Sequence, residues 1–66
     1  MYFNGQVLTA DQHFDDHRTH EVPVQVYYEE RHHDIGYIES ICPAFVRINN
    51  IFYNRTLFTF ISRPGY

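Results

Sequence analysis

The sequence contains no lysine; all five of its cations are arginine. Arginine's planar guanidinium suits stacking and two-pronged bonding to carboxylate or phosphate, which an ammonium group does not match. Cysteine occurs once, as Cys42, so no disulfide can form within the chain. A lone thiol fits a reducing compartment. Glycine stands only at Gly5, Gly36 and Gly65, which excludes a glycine-rich phosphate loop. Ser40 and Ser62 lack the flanking glycines of a nucleophile elbow. No apolar run approaches the ~18–20 residues needed to cross a bilayer as a helix. No basic residue precedes the short apolar run of MYFNGQVLTADQ, so no secretory signal is expected. The expectation is a soluble cytoplasmic protein. Alanine and leucine appear only at Ala10, Ala44, Leu8 and Leu57.

Aromatic side chains are abundant instead. Six Phe and six Tyr among 66 residues are far from the composition of a disordered tail. With Ile, Val and Thr they favour strands. Residues 1–66 have room for one small β domain: an acidic, histidine-rich loop region at 10–21, then a β-meander over 22–62. Charge is segregated. Residues 1–39 hold all eight acids with Arg18 and Arg31, a sum of −6; residues 40–66 hold Arg47, Arg55 and Arg63 and no acid, a sum of +3. The two halves are expected to lie side by side and neutralise each other.

Residues 2–9 read as a first strand, usable over 6–9. Thr9 with Gln12 fits a capping box at the start of one or two helical turns. Residues 22–28 alternate, with Val22, Val24, Val26 and Tyr28 on one face, and Pro23 marks a strand start or an edge. Residues 29–34 read as a charged connection. A strand follows over 35–42, bent near Gly36 and ended by Pro43. Strands at 45–48 and 51–53 flank an Asn49-Asn50 turn. After a turn at Asn54-Arg55, the last strand runs over 57–62. Apolar residues on both its faces imply that it is covered on both sides. The expected fold is mostly β: a small antiparallel meander or barrel of five or six short strands, with at most one short helix near residues 10–18. In layout it resembles SH3-like or Sm-like small barrels.

Four constellations bear on function. His13, His17 and His20 recur at i, i+4, i+7, within roughly 60° of one another on a helix. They form a candidate zinc site that Asp16, His32 or His33 would complete; the leading expectation is no cofactor. The same imidazoles, set among acids, could instead respond to pH near neutrality. Arg47, Arg55 and Arg63 interleave with aromatics, the pattern of a surface that stacks bases and contacts phosphate, although a sequence pI of 5.9 opposes that use. Cys42 is expected to be buried as a small hydrophobe. No pocket of enzymatic size is expected in so small a fold, hence no enzyme. The leading expectation is a non-catalytic interaction or regulatory module. It would offer a protein partner, a second copy included, a sheet edge or an aromatic-arginine face made by Tyr27, Tyr37, Arg47, Tyr53 and Arg55. Single-stranded nucleic-acid binding is the alternative, and a metal- or pH-responsive domain the second alternative.

Overall fold

Val24–Tyr28 forms β1, and it lies at the centre of a three-stranded antiparallel sheet. Its alternation buries Val24 and Val26 completely. On one side β1 pairs with β2 (Arg31–Gly36) through a two-residue turn; on the other it pairs with β6 (Thr59–Ser62). A second antiparallel sheet has the order β3 (Ile38–Ile41), β4 (Phe45–Ile48), β5 (Ile51–Asn54). The helix α1 covers Asp11–Thr19. A computed structural model describes residues 2–66 of the chain.

The fold is therefore small and mostly β, with six short strands in two three-stranded sheets and one short helix among the described residues. Among the described residues no closed barrel is found: no hydrogen-bonded ladder joins β5 to β6. The passage from β2 to β3 is a single residue, Tyr37. Gly36 allows it, because a Cβ there would come within 2.9 Å of the Asn49 side chain and 3.0 Å of an Ile48 methyl.

The core fills the space between the sheets. Val24, Val26 and Phe60 come from the first, Ile38, Val46, Ile48 and Tyr53 from the second, and Leu8 and Phe14 close the end. Phe14 meets Phe60 edge-on at 5.3 Å between ring centroids, a favoured aromatic geometry. Arg55 binds the helix to the second sheet. Its guanidinium lies 4.6 Å from the centre of the Phe14 ring, 2.6 Å from Asp11 Oδ1, and donates to the Cys42 carbonyl at 3.1 Å.

Several local expectations change. The helix begins after Ala10, not Thr9. His13 Nδ1 accepts the backbone amides of Thr9 and Ala10, so an imidazole takes the place expected of the Gln12 amide. The N-terminal strand shrinks to one bridge, Val7 to Ile61, because Asn4-Gly5 turns the chain just before it. Residues 29–34 are mostly strand, not connection: only Glu29 and Glu30 turn, both at positive φ. The last strand starts at Thr59, since Arg55–Leu57 is consumed by the turn. Its outer face is only half covered: Ile61 is half-buried, and Leu57 is exposed beside the strand start. Cys42 is exposed, placed beyond the end of β3 where Pro43 leads the chain away from the core.

Candidate interaction surface

The β4–β5 hairpin carries the candidate surface. Asn49 and Asn50 both adopt positive φ, 53° and 65°, the geometry of a two-residue hairpin turn that asparagine tolerates better than most residues. The turn fixes the register: Ile48 faces Ile51, Arg47 faces Phe52, Val46 faces Tyr53 and Phe45 faces Asn54. Cross-strand partners point to the same side. Val46 and Tyr53 therefore enter the core while Phe45, Arg47 and Phe52 face outward.

Phe52 is 60% exposed and Ile51, at the mouth of the turn, 49%. Phe45 meets Phe52 edge-on at 6.4 Å. Arg47 lies 5.6 Å from the centre of the Phe52 ring. Its Nε is 3.0 Å from Glu39 Oε1, an ion pair and not a well-aimed hydrogen bond, and its Nη2 donates to Asn50 Oδ1 at 2.6 Å. Glu39 also accepts the Asn50 amide at 3.2 Å. The result is an aromatic patch whose one cation is already matched by a carboxylate.

Antiparallel pairs alternate between hydrogen-bonded and non-bonded positions. A two-residue turn makes Ile48 and Ile51 a bonded pair, which makes Val46 and Tyr53 the next. The Arg55 amide donating to the Ala44 carbonyl at 2.9 Å continues that alternation. Phe52 and Asn54 therefore turn their backbone groups outward. The Asn54 carbonyl is taken by the amides of Leu57 and Phe58 at 3.2 and 3.1 Å. The Phe52 N–H and C=O and the Asn54 N–H are left to line the free edge.

That edge differs from the others. The β6 edge is covered by residues 5–8, with the Gly5, Leu8 and Ser62 amides all engaged at 2.8 Å. The β2 edge carries Arg31, His32, His33 and Asp34. The β3 edge carries Glu39 and a register break. Charge and irregularity are the usual protections of a strand edge. β5, Ile51–Asn54, has neither.

The five sequence-derived contact residues do not share one face. Arg47 belongs to the patch. Tyr37 is exposed at the bend between the sheets. Tyr27 is half-buried on the outer face of the first sheet, edge-on to His32 at 6.1 Å. Arg55 is committed to Asp11 and Phe14. Tyr53 is 2% exposed, and thus not a surface aromatic: its hydroxyl donates to Asp34 Oδ2 at 2.7 Å. Phe45, Ile51 and Phe52, none of them among those five, make up the rest of the patch. The available signal was parity, since Phe52 sits opposite Arg47 across the Asn-Asn turn.

Burial pushes the Tyr53 hydroxyl up to about 12, helped by its bond to Asp34 and that carboxylate's charge. Desolvation pushes Asp34 up. The bonds from Tyr53, Asn49 and the Ile35 amide, with the charge of His33, outweigh it and hold the carboxyl below the usual range.

The histidines do not converge. His17 is fully buried, its Nδ1 2.7 Å from the His13 carbonyl and its Nε2 2.7 Å from Ser62 Oγ. Both nitrogens are used, so His17 cannot also hold zinc. His20 Nδ1 lies 3.0 Å from the Asp16 carbonyl. Among the described residues no three His, Cys, Asp or Glu are placed to hold a metal ion. A cleft of about 500 Å³ does exist, contrary to expectation, lined by Tyr2, Asp16, His20, Val22 and Pro64. Asp16 is occupied there by Tyr2 at 2.6 Å and Gln12 at 2.7 Å. No nucleophile–base pair lines it. Compared with protein-family models, curated proteins and solved structures, the chain matches none.

Proposed function

We propose that the chain is a non-catalytic protein-interaction module that takes up an extended segment of a protein partner as an added strand beside β5. Strand addition draws affinity from main-chain hydrogen bonds and specificity from alternate side chains. The carrying observation is the β5 edge: outward backbone groups at Phe52 and Asn54, flanked by exposed Ile51, Phe52 and Phe45, with no edge charge. We read the scaffold as a partly open barrel of SH3-like or Sm-like layout, supported by the near-continuity of β2 and β3 through Tyr37. Nucleic-acid binding has less support. Arg47 and Arg55 face Glu39 and Asp11, and Arg63 is held by Gln25 at 2.6 Å and Asn4 at 3.4 Å, so the arginines form no shared basic track.

Selection of extended peptides from a random displayed library tests the proposal, with Phe52→Lys as the counter-selected control. The expected binders shift the amide resonances of 51–54 and lose at least tenfold in affinity for the variant. Binders that perturb other residues, or a library that yields none, would overturn it.

A further inference from the structure

Resting on the reading that β5 is the docking edge, we infer that the segment it takes up is β5 of a second copy, paired antiparallel about a two-fold axis through Phe52. An isologous contact must be self-complementary, and β5 meets that condition group by group. Centring the pair on Phe52 places Phe52 opposite Phe52, Ile51 opposite Tyr53 and Asn50 opposite Asn54. The Phe52 N–H of each copy donates to the Phe52 carbonyl of the other. Two positions along, the Asn54 N–H reaches the Asn50 carbonyl at the other copy's turn. The remaining two groups of that pair would be the Asn50 N–H and the Asn54 carbonyl. Both are already satisfied within the chain, the first by Glu39 and the second by the Leu57 and Phe58 amides. This register therefore strands no polar group.

The side chains agree. Phe52 rings fall opposite each other on the outer face, and aromatic cross-strand pairs are stabilising. Exposed Ile51 is covered at the mouth of the turn. The β2 edge carries Arg31 and Asp34, charges of the kind that protect a strand edge. β5 has no charge to repeat. The two sheets join into one of six strands. Four residues of edge and two exposed apolar side chains cover less than the roughly 800 Å² per partner of a standard stable interface. The contact accordingly belongs with small, transient interfaces.

Sedimentation equilibrium with amide NMR, from tens of micromolar to about 1 mM protein, tests this using Phe52→Lys and Phe52→Glu. The expected result is a monomer–dimer equilibrium with protection of the Phe52 and Asn54 amides. Either variant alone weakens association at least tenfold, and an equimolar mixture of the two restores it, because Lys and Glu then face each other at the axis. A dimer unaffected by Phe52→Lys, or a mixture no better than its components, would overturn the inference. A chain that stays monomeric while a library-selected peptide still shifts 51–54 overturns self-pairing alone. If neither protein nor peptide engages β5, both this inference and the interaction reading fall.

Discussion

Asp34 and Tyr53 show how one polar pair joins the two sheets. Asp34 lies on β2 and Tyr53 on β5, and the carboxylate also holds the Asn49 side chain at 3.0 Å and the Ile35 amide at 2.8 Å. A hydrogen bond to a charged group contributes about 1.5–3 kcal/mol when one partner is removed. Tyr53→Phe should destabilise the fold by roughly that amount, measured by urea denaturation. Tyr53 is raised in the fold, so its contribution is complete below its unfolded value near 10 and is lost as pH rises toward about 12. The variant lacks this dependence, so the stabilities of the two proteins should converge as pH rises from about 10 toward 12. His17 has the opposite linkage. Burial pushes its imidazole below the usual value, only partly opposed by the His13 carbonyl and the charge of Asp16, while His13 adds to the lowering. Tyr2 packs on the ring at 4.4 Å and Ser62 bonds its far nitrogen. The unfolded chain thus binds more protons than the folded one just below about pH 6.5, and stability rises with pH there. The full contribution is present above that value and fades on acidification. Thermal melts across pH 5 to 7.5, roughly the span over which histidine titrates, should show a rising midpoint, with a smaller slope in His17→Gln.

Secondary-structure elements differ in how far local sequence determines them. β1, β4 and β5 were legible because alternation and turn chemistry agree: valines repeat every second residue before Tyr28, and Asn49-Asn50 accepts positive φ. The β1–β2 turn was not legible, because Glu29 and Glu30 take φ of 48° and 64° against their own preference. Pairing of Val24–Tyr28 with Arg31–Gly36 imposes that conformation. Left-handed backbone costs a side-chain-bearing residue roughly 1–2 kcal/mol, and Asn-Gly is the favoured pair for this turn. Replacing Glu29 with Asn and Glu30 with Gly together should stabilise the fold by about 1–2 kcal/mol, read as a higher denaturant midpoint with unchanged slope. The helix was half legible. Its polar composition was plain, but its docking depends on distant residues. Phe14 and His17 share its inner face because they are three apart. Only the fold brings Phe60, Ser62 and Arg55 to meet them. The burial of Tyr53 was not legible for a related reason: aromatic content alone does not separate Tyr53, which faces Val46, from Phe52, which faces Arg47.

At the scale of the whole molecule, charge segregated along the chain is recombined in space. Two ion pairs, Arg47–Glu39 and Arg55–Asp11, join an arginine of the C-terminal half to an acid of the first. Such surface pairs contribute little, and Asp11 is 86% exposed at its side chain. The apolar core, beside the Tyr53–Asp34 bond, supplies the cohesion between the sheets. Phe14 is the test of that cohesion, since it touches Phe60 of the first sheet and Arg55 beside the second. Removing a buried phenylalanine costs about 3–5 kcal/mol, against a total stability on the order of 3–10 kcal/mol for a chain of this length. Phe14→Ala should lower the denaturation midpoint sharply while the transition remains single. Far-ultraviolet dichroism, which reads both sheets, should coincide with the loss of the folded-state amide resonances of Val46 and Tyr53, which report from the second. The shared core requires this coincidence. Val24 and Val26 lose the second sheet's side of their packing if β3–β5 come apart, and Ile38, Val46 and Ile48 lose the first sheet's if β1, β2 and β6 do. Two separated midpoints, in the wild type or in Phe14→Ala, would mean that each sheet keeps a core of its own.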